Sequence, residues 1–352
     1  MYGDSLLLSF LSVFSLITFF VVLITQKIFH KIDSILIDQD FEKPQAFHKE
    51  PVARSGGIAS IVSLAIFFMM YYFFFNEVLL DYLILSIFLF SLGFLDDIKF
   101  NIKPNIRLFL MIGILSFLIF LLSINLDSVD LIFLNVWLSN KLFHTIFILL
   151  CFLFIINGAN LVDGFNGLLS IHLLFINLIL LFVNLNENQN HVTSIIAAQT
   201  VILLCFLLFN FPKAKMFLGD SGSYLFGTLT VLNIIKTNNM NLEISSFFFC
   251  ILLFYLFFEV FFSFFRKIYL NKSPLKPDEN HLHMLSFRWL ENLQKFKDCN
   301  YLNSVIINVV YISLVLPGIF FRDNGIFCRY WFFLLIAFYI LFYSRLYSFV
   351  KK

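Results

Sequence analysis

The sequence predicts an all-α, multi-pass membrane protein. Hydrophobic residues make up 60% of it, and its mean hydropathy is +0.91. The apolar residues are gathered in runs of spanning length, since about 20 of them cross a bilayer core. Lys and Arg cluster in alternate connecting segments. Taken in order, the runs are read as about eleven transmembrane helices: 5–26, 57–76, 78–95, 105–124, 142–156, 168–185, 192–209, 223–238, 244–265, 301–320 and 327–348. The first run has no small-residue cleavage site, and Lys27 and Lys31 follow it rather than precede it, so it reads as a retained span.

The positive-inside rule orients the chain. With loop 27–56 in the cytoplasm, the outside segments hold only Lys141, Lys236, Arg322 and Arg329, and the other 20 of the 24 Lys and Arg lie inside. The N-terminus is therefore expected outside and the C-terminus in the cytoplasm. A net charge of +2 gives no reason to invoke nucleic acid. The 5 cysteines form no C-x-x-C pair; Cys151, Cys205 and Cys250 lie in apolar runs as packing residues. With no internal repeat and no low-complexity linker, residues 1–352 read as a single integral-membrane domain.

Polar clusters interrupt this pattern. Lys49 and Arg54 precede Gly56-Gly57, which open the second helix. Cations ahead of a glycine-led helix N-terminus make an anion site, because free amides and the helix dipole favour negative charge. Ordinary positive-inside charge with small-residue packing explains the same residues. Asp96 and Asp97 end the third run. Adjacent carboxylates at a membrane boundary repel each other and lose water, which a divalent cation or a basic side chain would offset. They point about 100° apart on a helix and so do different jobs. Oxygen-only ligands favour Mg²⁺ or Mn²⁺ over zinc.

The central stretch runs from Asn157 to Gly167, between two runs with no Asp, Glu, Lys or Arg. Asn157, Asn160 and Asp163 are three apart and fall within about 120° of one another, so one helix end presents all three. Gly164 and Gly167 then allow a tight turn. The next inside loop carries Asn210, Phe217, Gly219, Asp220, Ser221, Gly222 and Ser223. Its serines suit the N-cap of the eighth span, its glycines allow close backbone approach, and Phe217 is available to stack on a flat base. Glu259 sits inside an apolar run, where a charge costs about 2.5–3.5 kcal/mol and needs a partner or a proton. Arg266, at i+7 on the same face, is one option. The last large inside loop runs from Ser273-Pro274 through Asp278 to His281-Leu282-His283. Its histidines suit a metal or a diphosphate, and the lack of a nearby cysteine argues against structural zinc. Asp127 and Asp130 read as solvated outside surface, and His144 and His172 as packing residues. The loop motifs all fall on the expected cytoplasmic face, which is the pattern of one active site built at helix ends.

From about Lys43 to about Arg288 these motifs resemble, in order, those of the polyprenyl-phosphate N-acetylhexosamine-1-phosphate transferases, the glycosyltransferase family 4 superfamily. They are the glycine pair Gly56-Gly57, the aspartate pair Asp96-Asp97, Asn157-x-x-Asn160-x-x-Asp163-Gly164, Asn210 with Phe217-x-Gly219-Asp220, and Ser273-Pro274 with Asp278 and His281-x-His283. The resemblance implies a Mg²⁺-dependent enzyme, with Mn²⁺ as a substitute. A membrane polyprenyl phosphate attacks the β-phosphate of a UDP-N-acetylhexosamine, giving polyprenyl-diphosphate-sugar and UMP. It implies Asp220 as metal ligand, and Asp96, Asp97, Asp163 and His281 as catalytic groups. Asn210, Phe165 and Phe217 would line a uridine pocket, and Lys49, Arg54, Asn157, Asn160, Asn166 and His283 would make further substrate contacts. It also implies a plasma-membrane location with the site facing the cytoplasm, and it allows a homodimer.

Two departures matter. Many members carry a second aspartate where this chain has Asn166, so that position is not expected to be an obligatory metal ligand or base. The peptidoglycan translocase branch has three consecutive histidines, whereas this chain has His281-Leu282-His283-Met284. The expected reaction is therefore initiation of an O-antigen, capsule, teichoic acid or related glycan, with phospho-MurNAc-pentapeptide transfer as the alternative. A secondary transporter is the rival from another class, but its sites would lie near the midplane rather than at helix ends. A catalytically silent scaffold is the remaining rival.

Overall fold

The computed structural model describes residues 2–31, 35–39, 50–100, 102–185, 190–274, 276 and 278–350. Of the expected site residues, Lys49 lies outside the described residues. The chain folds as an all-α, multi-pass membrane protein. Its helices are α1 (Tyr2–Lys31), α2 (Gly56–Phe75), α3 (Leu80–Asp97), α4 (Pro104–Leu121), α5 (Ile132–Leu138), α6 (Lys141–Val162), α7 (Leu168–Asn184), α8 (Asn190–Asn210), α9 (Gly219–Met240), α10 (Ser246–Leu252), α11 (Phe254–Tyr269), α12 (Leu282–Asn292), α13 (Cys299–Phe320) and α14 (Gly325–Val350). A two-residue antiparallel ladder pairs β1 (Ile37–Asp38) with β2 (Val52–Ala53).

Every one of the expected apolar runs is helical. Among the described residues seven helices, namely α1, α2, α4, α6, α8, α13 and α14, are long and apolar enough to cross a membrane, or eight spans if the α10–α11 pair counts as one. The other three expected spans are helical but fall short of that length and apolarity: α3 carries Asp81, Asp96 and Asp97, α7 has only 17 residues, and α9 carries Asp220, Lys236 and several Thr and Asn. The run 244–265, expected as one span, is two helices bent by 73°. The break exposes backbone that hydrocarbon cannot satisfy, and the Tyr311 hydroxyl of α13 donates to Leu252 O there at 2.6 Å. The short helices α5 and α12 were not expected, because neither carries a spanning run.

The chain groups into two compact units. One takes the described residues of Met1–Gln39, Lys49–Lys103 and Ser170–Thr237; the other takes those of Pro104–Leu169 and Asn238–Lys352. In the first unit a buried polar chain links three helices. The Tyr82 hydroxyl of α3 donates to Asn233 of α9 at 2.9 Å, and the Asn233 amide donates to Gln199 of α8 at 2.9 Å. Satisfied polar contacts of this kind hold helices together where lipid offers no hydrophobic drive. Lys236 pairs with Asp81 at 2.5 Å.

In the second unit, α6 and α11 meet at Gly158, where a Cβ would collide with the backbone carbonyl of Leu256. The glycine is what lets the two backbones approach. Asp130, expected as solvated surface, instead joins the start of α10. Its amide donates to Ser246 Oγ at 2.8 Å, and its carboxylate accepts from the Ser245 hydroxyl. His144 takes a packing role, with Leu126 N donating to its Nε2 at 3.1 Å.

Candidate active-site residues

In the first unit, three backbone bonds lace the segment before α2 to the segment before α9. Phe217 N donates to Ala53 O at 2.9 Å, Gly56 N to Phe217 O at 2.8 Å, and Gly57 N to Leu218 O at 2.8 Å. A Cβ at Gly57 would strike the Ser221 hydroxyl. The first amides of α2 are thus engaged by carbonyls, so the anion site expected on them is not formed. Close packing is the role of this glycine pair. Asn210 is buried and donates to Met216 O at 3.0 Å, closing the same loop. Phe217 is half-buried.

The lacing sets Arg54 among carboxylates. Arg54 donates to Asp38 from Nη2 at 2.6 Å and from Nε at 3.1 Å. Its Nη1 lies 3.7 Å from Asp97 Oδ1 and 3.8 Å from Asp220 Oδ1. Burial opposes the Arg54 charge, but Asp220, Asp38 and Asp97 outweigh it and raise its pKa further above the ordinary value. A basic side chain does offset the clustered aspartates, as their repulsion requires. Asp38 had no signal in the sequence, since it lies 16 residues away in a charge-mixed loop.

Asp97 is the buried centre of this cluster. It accepts from Asp220 N at 2.9 Å, Ser221 N at 2.9 Å and the Ser221 hydroxyl at 2.5 Å. A carboxylate from α3 therefore caps the N-terminus of α9, where free amides and the helix dipole both favour negative charge. The serines were expected to cap α9; instead Ser221 donates its hydroxyl to Asp97, and Ser223 donates to Asp220 O at 3.1 Å. Gly219 has φ 77°, and a Cβ there would lie 2.6 Å from Asp97 Oδ2, so only glycine fits. Burial and the Asp220 carboxylate push the Asp97 pKa up to about 7, against the Ser221 donors and Arg54. Asp220 keeps a partly exposed carboxylate, 21% accessible, while the Asp97 side chain is at 0%. Asp96 is half-buried.

An oxygen-only set built on Asp220 suits Mg²⁺, which takes one or two carboxylates and completes its shell with water and substrate phosphates. Among the described residues no group of three or more His, Cys, Asp and Glu is placed to hold a metal ion.

The second unit carries the other motifs. Helix α6 runs past its apolar stretch to Val162, so Asn157 and Asn160 lie on its last turns and Asp163 follows as C-cap. Asn157 donates to Leu153 O of its own helix at 2.7 Å. Gly167 has φ 78° and makes the tight turn, whereas Gly164 is not in the left-handed region and has open space where a Cβ would point. Asn166 N donates to Asn300 Oδ1 at 2.9 Å. Phe165 is buried, packing edge-on to His283 at 5.9 Å between centroids and against Phe287 at 5.1 Å.

Glu259 does not pair with Arg266. Its Oε1 accepts from His281 Nδ1 at 3.1 Å and from Leu282 N at 3.0 Å, and its Oε2 accepts from the Tyr339 hydroxyl at 2.5 Å. Arg266 pairs with Asp278 at 2.6 Å. Burial works against the Asp278 carboxylate, but Arg266 outweighs it and lowers its pKa. The rings of His281 and His283 stack at 5.6 Å. His283 Nδ1 meets the Tyr255 hydroxyl at 3.3 Å, and its carbonyl accepts from Asn303 at 2.9 Å. Burial drives the His283 pKa down to about 3, so the ring is neutral at pH 7.

The fold is that of a multi-pass membrane protein, one unit of which carries the Arg54, Asp97 and Asp220 cluster and the other the paired histidines His281 and His283. The family model of glycosyl transferase family 4 matches residues 79–238. An undecaprenyl-phosphate alpha-N-acetylglucosaminyl 1-phosphate transferase of Thermotoga maritima is 30% identical over 236 residues, covering 67% of this chain and 68% of the relative. A phospho-N-acetylmuramoyl-pentapeptide-transferase of Dictyoglomus turgidum is 31% identical over 234 residues, covering 62% and 73%. A probable undecaprenyl-phosphate N-acetylglucosaminyl 1-phosphate transferase of Bacillus subtilis is 24% identical over 244 residues, covering 67% and 66%. The chain belongs to glycosyl transferase family 4.

Proposed function

We propose that this chain transfers a sugar 1-phosphate from a UDP-N-acetylhexosamine to a polyprenyl phosphate, releasing UMP and starting a lipid-linked surface glycan. The observation that carries the proposal is the cluster at the start of α9. Asp220 is held there by a helix N-terminus that Asp97 caps, and Arg54 stands beside both. Family membership and the printed activities of the relatives support the same reading.

Asp220 would hold Mg²⁺, which when bound neutralises charge on the diphosphate that is cleaved. Asp97 is enclosed, so its part is to orient Asp220 and the first turn of α9. Asp96, the more accessible of the pair, is left to orient or deprotonate the lipid phosphate. Arg54 supplies positive charge beside these carboxylates, and Phe217 offers an aromatic face to uracil. Asp163 would orient phosphate at the end of α6, and His281 would contact the diphosphate through Nε2. The enzyme would sit in the plasma membrane with these groups on the cytoplasmic side, where nucleotide sugars are made.

The test is UMP release by the purified protein with undecaprenyl phosphate and Mg²⁺, across UDP-GlcNAc, UDP-GalNAc and UDP-MurNAc-pentapeptide. Release with an N-acetylhexosamine donor is expected. Release only with the pentapeptide donor would move the chain to the translocase reaction. No release with any donor, from folded protein, would overturn the proposal.

A further inference from the structure

We infer that the C-terminal helix α14 is part of the working site: Tyr339, acting through Glu259, sets the tautomer and position of His281. The inference rests on the reading of His281 as a diphosphate contact. No family motif extends to α14, which lies beyond both residues 79–238 and the histidine loop.

Glu259 places a carboxylate where burial disfavours a charge. Glu259 lies on the membrane-embedded helix α11, 1% exposed. A buried carboxylate persists only if its lone pairs are satisfied. Three donors do this: His281 Nδ1 and Leu282 N on Oε1, and the Tyr339 hydroxyl on Oε2. The tyrosine bond, at 2.5 Å, is the shortest of the three. It holds the oxygen that faces away from His281 and so stops the carboxylate turning about its last bond.

The consequence for His281 is specific. A carboxylate accepts only, so the imidazole nitrogen facing Glu259 must carry the hydrogen. Nδ1–H donates to Glu259, and Nε2 is then the nitrogen left to meet a ligand. A ring nitrogen's role is set by the hydrogen bond its other nitrogen makes. The bond from Leu282 N to the same Oε1 ties the backbone of the motif to this carboxylate, fixing ring and chain together.

Helix α14 makes a second attachment one turn further on. The Tyr343 hydroxyl donates to Asn280 O at 3.0 Å, and its ring lies 5.7 Å from the guanidinium of Arg266, which holds Asp278. Tyr339 and Tyr343 are four apart and share one helix face. They brace the histidine loop at His281, through Glu259, and at Asn280 directly. Tyr339 also walls a cavity of about 250 Å³ whose lining is almost wholly apolar, including Phe338, Leu335 and Leu314.

The test uses the full-length protein in detergent, with ¹⁵N-labelled histidine rings and a His281→Asn reference to assign the signals. In the wild type His281 is expected to carry its hydrogen on Nδ1 when neutral. Glu259→Gln is expected to shift hydrogen towards Nε2 and to lower kcat by about 10–100-fold, the range for losing the hydrogen-bond partner that orients a metal-bound histidine, with KM for the UDP-sugar little changed. Tyr339→Phe, a milder change that keeps the ring packing, is expected to lower kcat in the same direction by a smaller factor. In a Glu259→Gln background it should add almost nothing. A wild-type His281 protonated on Nε2, or Tyr339→Phe and Glu259→Gln variants with wild-type kcat and an unchanged His281 signal, would overturn the inference. His281→Ala is a separate arm. Full turnover there would remove the diphosphate contact itself, while the ring signals would still decide whether Tyr339 and Glu259 set the tautomer.

Discussion

Asp97 holds Ser221 twice, accepting from its amide at 2.9 Å and from its hydroxyl at 2.5 Å, across 124 residues of sequence. The bond pair fixes the first turn of α9 against the end of α3, and with it the position of Asp220. Ser221→Ala removes one donor from a buried carboxylate. It is expected to destabilise the protein by about 1.5–3 kcal/mol, the range for hydrogen bonds to charged groups, read as a lower Tm in detergent.

Gly219→Ala is expected to cost more and to abolish activity. The new methyl group would demand φ 77° of a residue that disfavours it and would stand 2.6 Å from Asp97 Oδ2. Backbone strain of this kind costs about 1–3 kcal/mol before the steric clash is counted. Wild-type turnover and Tm in this variant would show that α9 can start elsewhere.

Asp220→Asn is expected to remove turnover while leaving Tm near wild type, since the partly exposed Asp220 side chain is not what caps the helix. Removal of divalent cations with a chelator should silence the wild type equally, and restored Mg²⁺ should rescue the wild type but not the variant. UMP release measures both. Appreciable turnover by the variant would take Asp220 out of the metal site.

Gly158→Val is expected to abolish stable expression. A side chain there meets the carbonyl of Leu256, so α6 and α11 must separate. Because α11 carries Glu259, any protein that does survive should show a disturbed His281 signal as well. Size-exclusion profile and yield decide the first outcome.

His283 makes the acid stability of the protein asymmetric. Burial lowers its pKa from 6.5 to about 3, so the folded state resists a proton that the unfolded chain accepts. Above pH 6.5 the group contributes nothing to the pH dependence. As pH falls below that value stability is lost at up to about 1.4 kcal/mol per pH unit, reaching about 2 kcal/mol at pH 5. A His283→Gln variant should lose less Tm than the wild type between pH 7 and pH 5. Equal losses would show that His283 is not the group responsible.

Much of this protein is legible in one dimension. Runs of apolar residues near spanning length mark out the helices, because hydrocarbon cannot hydrogen-bond a backbone and only a helix of about 20 residues satisfies itself across the core. The polar motifs stand out against those runs for the same reason, and residue type and place alone single out Asp220 and Arg54, which the fold brings to within 3.8 Å of each other. Local reasoning failed where a group's partner lies far along the chain. Arg266, seven residues from Glu259, was the near candidate, but His281 and Tyr339 take the carboxylate from 22 and 80 residues away. Ser221 suits the cap of its own helix by residue type, but Asp97 of α3 does that work.

By itself, then, the sequence determined the all-α membrane class, the order of the helices and the residue types available for phosphate chemistry. These follow from hydropathy and local backbone preference, which act over one or two turns. Only the tertiary structure decided which carboxylate is enclosed and which is partly open, that Gly56, Gly57 and Gly158 serve close packing, that the span 244–265 breaks, and that α14 reaches the histidine loop. Those outcomes depend on how helices pack and on which buried polar groups find each other once water is gone. No local pattern carries that information, because the desolvation that forces the pairing exists only in the assembled fold.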